Sequence, residues 1–336
     1  MLALFAISVF LLAAIIGGKS VCRPFDKAAV VPLRGVLVLL VVTGHVGDAL
    51  GLDYSMANQA VAVFFFLSGY GLMKKRILCS GPDALRGGFV RAIIKLLPTF
   101  LIAACAYAGW EIAMGHRVPL WTNICKGSSN LPIPFTWYVP AVIALYGIFY
   151  AADRICKKKG QLIVCICAGV LGYWVLTALV FQWPFYWWKT VGGFAAGVIF
   201  AELEKLVLQV IAERPRVVYG VSLLLFLSVF AVTRVDAFVV RFAAQHLYSA
   251  LLGPIVALIL FRFALAGRVL DFLGVYSYEI YIVHGAFVYG LLHSCATRSL
   301  YCIAVIACAI VAGVSLRVFR KFLDRIAIRI AGGRRG

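Results

Sequence analysis

Charge is scarce in this chain. Asp, Glu, Lys and Arg together make up 13% of its 336 residues, and only 13 residues are acidic. A soluble domain carries about twice that charged fraction. So little charge excludes an intrinsically disordered chain and a water-soluble enzyme folded around one core. The common signatures of soluble enzymes are missing too. There is no Gly-x-x-x-x-Gly-Lys-Ser/Thr loop, no Gly-x-Gly-x-x-Gly turn, no Gly-x-Ser-x-Gly elbow and no His-Glu-x-x-His pair. Ten cysteines are present, but no Cys-x-x-Cys, and Cys165 and Cys167 are too close to share a helix face. Most lie in apolar runs, where Cys acts as a small hydrophobe, so no metal site is expected. Cys125 and Cys295 fall in loops expected on the outer side, and a bridge between them is left open.

What the chain has in abundance is apolar sequence: 64% hydrophobic residues and a mean hydropathy of +1.00. A spanning helix needs about 20 mostly apolar residues. About eleven such runs are found: 2–18, 31–50, 56–73, 89–114, 135–152, 161–181, 188–201, 217–233, 247–266, 272–292 and 300–319. The run at 188–201 is the shortest, and the run at 2–18 lacks the basic start of a signal peptide, so it reads as a retained helix. The expected fold is therefore all-α: a polytopic transmembrane bundle of about ten core helices and one extra N-terminal helix. Residues 1–30 form that extra helix and a linker, 31–319 the membrane domain, and 320–336 a basic cytoplasmic tail.

The net charge of +19 raises the question of nucleic acid. Placing the amino terminus outside and alternating sides answers it. Then 26 of the 32 Lys and Arg fall on the inner side, and only Arg117, Lys126, Lys189, Arg234, Arg241 and Arg298 on the outer. That asymmetry is the positive-inside rule of a multi-pass protein of the cell membrane, with the C-terminus in the cytoplasm. The expected partner is the bilayer, not nucleic acid. No internal repeat is visible, and the connections 115–134 and 233–246 read as outer loops.

Ionisable side chains at membrane depth are costly, so each is a functional candidate. Arg34 and His45 lie eleven residues apart in the second run. At ~100° and ~1.5 Å per residue they share one helix face, with roughly 16 Å between them along the axis. A guanidinium near the inner surface suits a phosphate, and an imidazole deeper along the same groove can exchange a proton near neutral pH. The plain alternative is a snorkelling Arg and a hydrogen-bonded core His. Asp48, one turn beyond His45, either orients its ring or is a solvated helix end. In Tyr276-Ser277-Tyr278-Glu279-Ile280-Tyr281-Ile282-Val283-His284, the residues Ser277, Tyr281 and His284 stand at i, i+4 and i+7, again one face. Glu279 points elsewhere, toward a structural hydrogen bond. An interfacial aromatic belt is the competing reading for the tyrosines. In Phe64-Phe65-Phe66-Leu67-Ser68-Gly69-Tyr70-Gly71, the Ser68-Gly69 step permits a close helix approach. The cluster Lys74, Lys75, Arg76 follows, as a topology signal or as a phosphate site beside Arg34.

These pieces, in this order, resemble the acyltransferase-3 family of integral-membrane acyltransferases. Arg34 and His45 match its Arg, ten residues, His signature. Phe65-Phe66-Leu67-Ser68-Gly69-Tyr70 is similar to its Phe-Phe-x-Leu-Ser-Gly-aromatic segment, and Ser277 through His284 to its Ser-Tyr-x-x-Tyr-x-x-His segment. Thr136-Trp137-Tyr138-Val139 and Phe194-Ala195-Ala196-Gly197 resemble two looser family patterns. The resemblance spans roughly 31–319. It implies an O-acyltransferase that moves an acyl group, usually acetyl, from cytoplasmic acyl-CoA to a hydroxyl of an extracytoplasmic glycan or glycolipid. Arg34 would contact the CoA end, and His45 would take part in transfer. The family's basic Arg-x-x-Arg element is replaced here by Met73-Lys74-Lys75-Arg76, which keeps the charge without the pattern.

The resulting expectation is a His45 that serves as general base on the acceptor, or as a carrier of the acyl group, with Arg34 on the donor. Two other classes use the same polar face: a transporter or flippase, and a structural or sensory membrane protein. Acyl-CoA dependence separates the first, and tolerance of His45 substitution the second. Acceptor specificity is expected in the outer loops, where Trp121 and Trp137 are candidates to stack on a sugar ring or, more plainly, interfacial anchors.

Overall fold

In the computed structural model of the chain, the described residues are 7–13, 25–52, 56–79, 87–292 and 294–332, with the side chains of 238, 239 and 327–332 left aside. Among them there are twelve α-helices and no strand. Residues 7–13 are helical (α1). The others are α2 (Lys27–Ala49), α3 (Met56–Leu78), α4 (Gly88–Ala113), α5 (Leu120–Cys125), α6 (Tyr138–Ile155), α7 (Lys159–Val175), α8 (Gly192–Glu213), α9 (Pro215–Val232), α10 (Phe238–Arg262), α11 (Arg268–Gly290) and α12 (Arg298–Gly332). A π-helical turn, Leu176–Val180, extends α7.

Eight of these helices are long and apolar enough to cross a membrane: α2, α3, α4, α6, α7 with its π turn, α9, α10 and α12. α8 and α11 match them in length, at 22 and 23 residues, but α8 carries Glu202, Glu204, Lys205 and Glu213, and α11 is rich in Tyr with Ser277, Glu279 and His284. Their charges are met from inside the protein. Glu204 of α8 is 4% exposed and pairs with Lys74 of α3, while Glu279 of α11 is 8% exposed and faces Arg317 of α12. A carboxylate in a bilayer is costly unless paired in this way. These two helices sit in the middle of the bundle together with α2, α3 and α10, and the apolar α4, α7, α9 and α12 lie outside them.

The interior is built on two close parallel pairs, α2 with α11 and α3 with α8. Small residues make both possible. A Cβ on Gly274 would overlap the main-chain carbonyl of Val31, and one on Gly197 would overlap that of Phe66. Gly69 packs on the carbonyl of Phe194 in the same way, so the Ser68-Gly69 step and the Phe194–Gly197 segment are two sides of one helix contact. Antiparallel α12 closes the outside of α11, with Gly313 against Ile280.

Several boundaries differ from expectation. The run at 188–201 becomes a 22-residue helix that starts four residues later and ends twelve later, because its polar half is paired inside the bundle. The connection at 115–134 contains the short helix α5. The expected outer loop 233–246 shrinks to a few residues, since α10 begins at Phe238. The expected tail is helical to Gly332 as a continuation of α12. Cys125 and Cys295 are both free thiols, so no bridge joins them. The expected helix at 2–18 is described only at 7–13, where Leu11 is fully buried and Phe10 lies 5.6 Å from Phe263.

Candidate active site

A cavity of about 320 Å³ opens among α2, α3, α6 and α11. It lies toward the end where α2 begins and α3 finishes, the end rich in Lys and Arg. Arg34, Ser68, Tyr138, Tyr146, Ser277 and Tyr281 line it. Four of these, Arg34, Ser68, Ser277 and Tyr281, are residues singled out in the sequence, and three different helices bring them together. The Ser68 and Tyr138 hydroxyls are 3.3 Å apart. The Ser277 hydroxyl donates to the Gly274 carbonyl at 3.0 Å, which turns its proton away from the cavity. Among the described residues no hydrogen bond or ion pair engages the Arg34 guanidinium, although the charges of Glu279 and Arg317 act on it. Glu279 is itself committed to α12, 3.9 Å from Arg317 Nε. An unpaired guanidinium in a cavity lined otherwise by apolar and hydroxyl-bearing side chains, with no carboxylate among them, suits an anion.

The histidines lie toward the opposite end. His45 stacks on Phe135 with ring centroids 3.8 Å apart and planes 11° apart. Its centroid is 5.4 Å from that of His284. His284 is fully buried, and its Nδ1–H donates to the Tyr281 carbonyl at 2.5 Å. A carbonyl can only accept, so Nδ1 carries a proton, and in the neutral ring Nε2 is then the acceptor. That Nε2 has no hydrogen-bond partner, and neither has His45 Nδ1. Asp48 approaches His45 Nδ1 to 3.4 Å, but its side chain is 52% exposed and no hydrogen bond forms. Buried ring nitrogens are usually hydrogen-bonded, so both of these are available to a water or to a polar group brought beside them.

Phe135 holds this stack from a loop and was not foreseen. It has φ +66°, a conformation that costs a non-glycine residue about 1–3 kcal/mol. Two contacts hold it there. The Tyr281 hydroxyl donates to its carbonyl at 2.5 Å, and Gly285 lets the preceding Pro134 carbonyl lie against α11. Nothing in the local sequence flags a loop phenylalanine as a partner of His45.

Arg34 and His45 do not share one open groove. The residues lining the cavity stop at Tyr138 and Tyr281, and neither histidine is among them. Tyr281 is the wall between the two parts. Its ring meets Tyr138 on one side and His284 on the other, each at 5.5 Å.

The basic cluster divides by direction. Lys74 pairs with Glu204, which also accepts from the Tyr70 hydroxyl at 3.1 Å. Arg76 pairs with Asp153 of α6. Only Lys75 is left exposed, and Ser68, Leu72 and Lys75 at i, i+4 and i+7 continue the cavity face of α3. The expectation that all three cations meet a ligand is thus narrowed to Lys75. Trp137 is 4% exposed beneath Phe65 and Trp187, so it is closed to a sugar, whereas Trp121 is 77% exposed. Among the described residues no three His, Cys, Asp or Glu side chains form a metal-binding group.

An all-helical bundle with eight helices long and apolar enough to cross a membrane, and a cavity lined by Arg34 between them, defines a multi-pass membrane protein. Residues 33–318 match the family model for the acyltransferase-3 type, described as an acyltransferase domain. The match covers most of the chain, from the residue before Arg34 to the one after Arg317, and the chain belongs to that family: it is a membrane acyltransferase. No curated protein and no solved structure matches it.

Proposed function

We propose that this acyltransferase moves an acyl group, acetyl in the first instance, from a cytoplasmic acyl-CoA to a hydroxyl of a cell-surface polysaccharide or glycolipid outside the membrane. In this reading the basic end faces the cytoplasm, with the amino terminus outside. The observation that carries the proposal is the arrangement on either side of Tyr281. An unpaired Arg34 lines a cavity at the basic end, and two imidazoles with unpartnered nitrogens lie behind its far wall.

The donor enters from the basic end. At about 320 Å³ the cavity is at the small end of ligand sites, which run from about 300 to 1,000 Å³, so the nucleotide stays at the rim. Its phosphates meet Arg34 and Lys75, and the thioester points toward Tyr281. Passage to His45 requires the Tyr281 and Tyr138 rings to swing apart. His45 then takes the proton from the acceptor hydroxyl. The hydroxyl oxygen forms its bond to the acyl carbon, the carbon–sulfur bond breaks, and the CoA thiolate leaves with the proton returned by His45. His284, held in one tautomer by the Tyr281 carbonyl, and Asp48 support the ring. Ser68, Ser277 and Glu279 shape the cavity rather than react.

The test is label transfer. Membranes containing the chain are given acetyl-CoA labelled in the acetyl group, and surface glycans are analysed by mass spectrometry. Labelled O-acetyl esters that require both protein and acetyl-CoA are the expected result. Equal labelling with and without the protein would remove the proposal.

A further inference from the structure

Lys and Arg avoid the far end of the bundle: only six of 32 are expected there. Three of those six, Lys189, Arg234 and Arg241, nevertheless gather in one place. A second cavity, of about 650 Å³, lies where the end of α9 meets the start of α10 and the turn before α8. Trp188, Thr233, Arg234, Arg241, Phe242 and Gln245 line it. Arg234 rests over the Phe230 ring at 5.0 Å. Among the described residues no carboxylate forms an ion pair with Arg234 or Arg241; Asp236, in the connecting loop, is exposed and makes none. Behind the lining, His246 stacks on Trp188 at 5.5 Å, and its buried Nε2 has no partner. The Lys189 charge acts on that same imidazole.

Two free guanidinium forks, an amide, a hydroxyl and two aromatic faces in one concavity suit a particular chemistry. The forks take a phosphate or carboxylate. The indole offers a flat apolar face to a ring, and Gln245 and Thr233 offer polar atoms to hydroxyl groups. Topology signals do not explain these cations, since the positive-inside rule places charge at the other end. An anionic lipid headgroup is a weaker match, because anionic lipid is concentrated on the cytoplasmic leaflet.

We propose that this far-end cavity binds an anionic sugar of the acceptor, and that the chain acylates glycans bearing carboxylate or phosphate groups. The proposal rests on the glycan-acceptor reading above and narrows it. Its test uses the full chain in nanodiscs of phosphatidylcholine. Binding of a fluorescent glucuronic-acid oligosaccharide is compared with that of the neutral glucose oligosaccharide of equal length. Wild type should prefer the acidic probe by about tenfold or more, the size expected of one or two charge-assisted contacts. Arg234→Gln with Arg241→Gln should erase the preference, and Arg241→Lys, which keeps charge without the fork, should weaken it less. Acetyl-CoA binding is read in the same discs. Its persistence when the preference is lost assigns the effect to the acceptor site, and keeps this result separate from a failure of the donor reading. A wild type indifferent to probe charge, a double variant that keeps the preference, or abolition of binding by phosphatidylglycerol in the disc would each overturn the proposal.

Discussion

The two ends of the bundle treat charge in opposite ways. At the basic end cations are plentiful, and three of them clamp helices together inside the bundle: Lys74 on Glu204, Arg76 on Asp153, and Arg317 on Glu279. Each of these ties two helices together, and each carboxylate is partly or wholly buried. Arg34 lines the cavity and makes no ion pair among the described residues, and the exposed Lys75 extends the cavity face of α3 by helical phase. At the far end Lys and Arg are few and, among the described residues, hold no carboxylate, and the unpartnered nitrogens of His45, His246 and His284 lie in that half. In a protein whose solvent is lipid, a paired charge is architecture and an unpaired one is reserved for a ligand. The abundance of Lys and Arg at one end is therefore a poor guide to where chemistry occurs.

The largest effects should fall on the unpaired groups. His45→Ala is expected to lower acyl transfer by about 10²- to 10⁴-fold, the usual worth of a positioned proton carrier. The donor KM should change little. Arg34→Ala should do the reverse, raising the donor KM more than it lowers kcat. Steady-state kinetics in vesicles, normalised to protein amount, distinguishes the two. The same kinetic signature in both variants would contradict the division into an anion site and a proton site.

Paired groups should report in stability instead. Glu204→Ala strands Lys74 in the bundle and should cost about 3–5 kcal/mol, as for other broken buried pairs. The double change Glu204→Gln with Lys74→Met removes both charges and should recover most of that loss. Thermal unfolding in detergent gives the comparison. If Glu204→Ala unfolds like wild type, the ion pair is no clamp, and the distinction between paired and unpaired charge weakens.

Phe135 tests whether the histidine stack is positioned or merely packed. Phe135→Gly relieves a left-handed backbone worth about 1–3 kcal/mol and removes stacking worth about 0.5–1.5 kcal/mol. Loss of the ring's buried surface adds to the loss of stacking and opposes the relief, so melting is measured beside activity to show that the variant is folded. Transfer should still fall by about tenfold, because a small loss of alignment at the reacting group is costly. Unchanged activity would show that His45 needs no support from this ring.

Phe135 also marks the limit of what the sequence discloses. Arg34, Ser68, Ser277 and Tyr281 were legible because helical phase alone places each on a definite face. The membrane bundle was legible because apolar length is a local property. The partners of Lys74 and Arg76 stand 130 and 77 residues away on other helices, and no local pattern names them. The Tyr281 wall was hidden for a similar reason: two residues on the same face of α2 can be separated by a ring from α11. The far-end cavity draws on two loops and a helix start whose polar residues lower the local hydropathy. That dilution is also why the onset of α10 was placed nine residues too late.

Lys75 gives the smallest effect and the sharpest contrast, since it stands between two neighbours of equal charge. All three cations carry the same formal charge and occupy adjacent positions, so a general basic-surface effect would treat them alike. If direction matters, Lys75→Ala should raise the donor KM about two- to fivefold with no loss of stability, consistent with the ~1 kcal/mol or less of an exposed ion pair. Salt should erase the difference, because exposed charges are screened within about 8–10 Å at 0.1–0.15 M. Arg76→Ala should instead lower the unfolding temperature through Asp153 and leave the donor KM nearly unchanged. Measuring KM at low and high salt together with melting for both variants decides between them. Identical shifts in the two would mean that the cluster acts as one diffuse field, and the face of α3 that carries Ser68 and Lys75 would lose its claim on the donor.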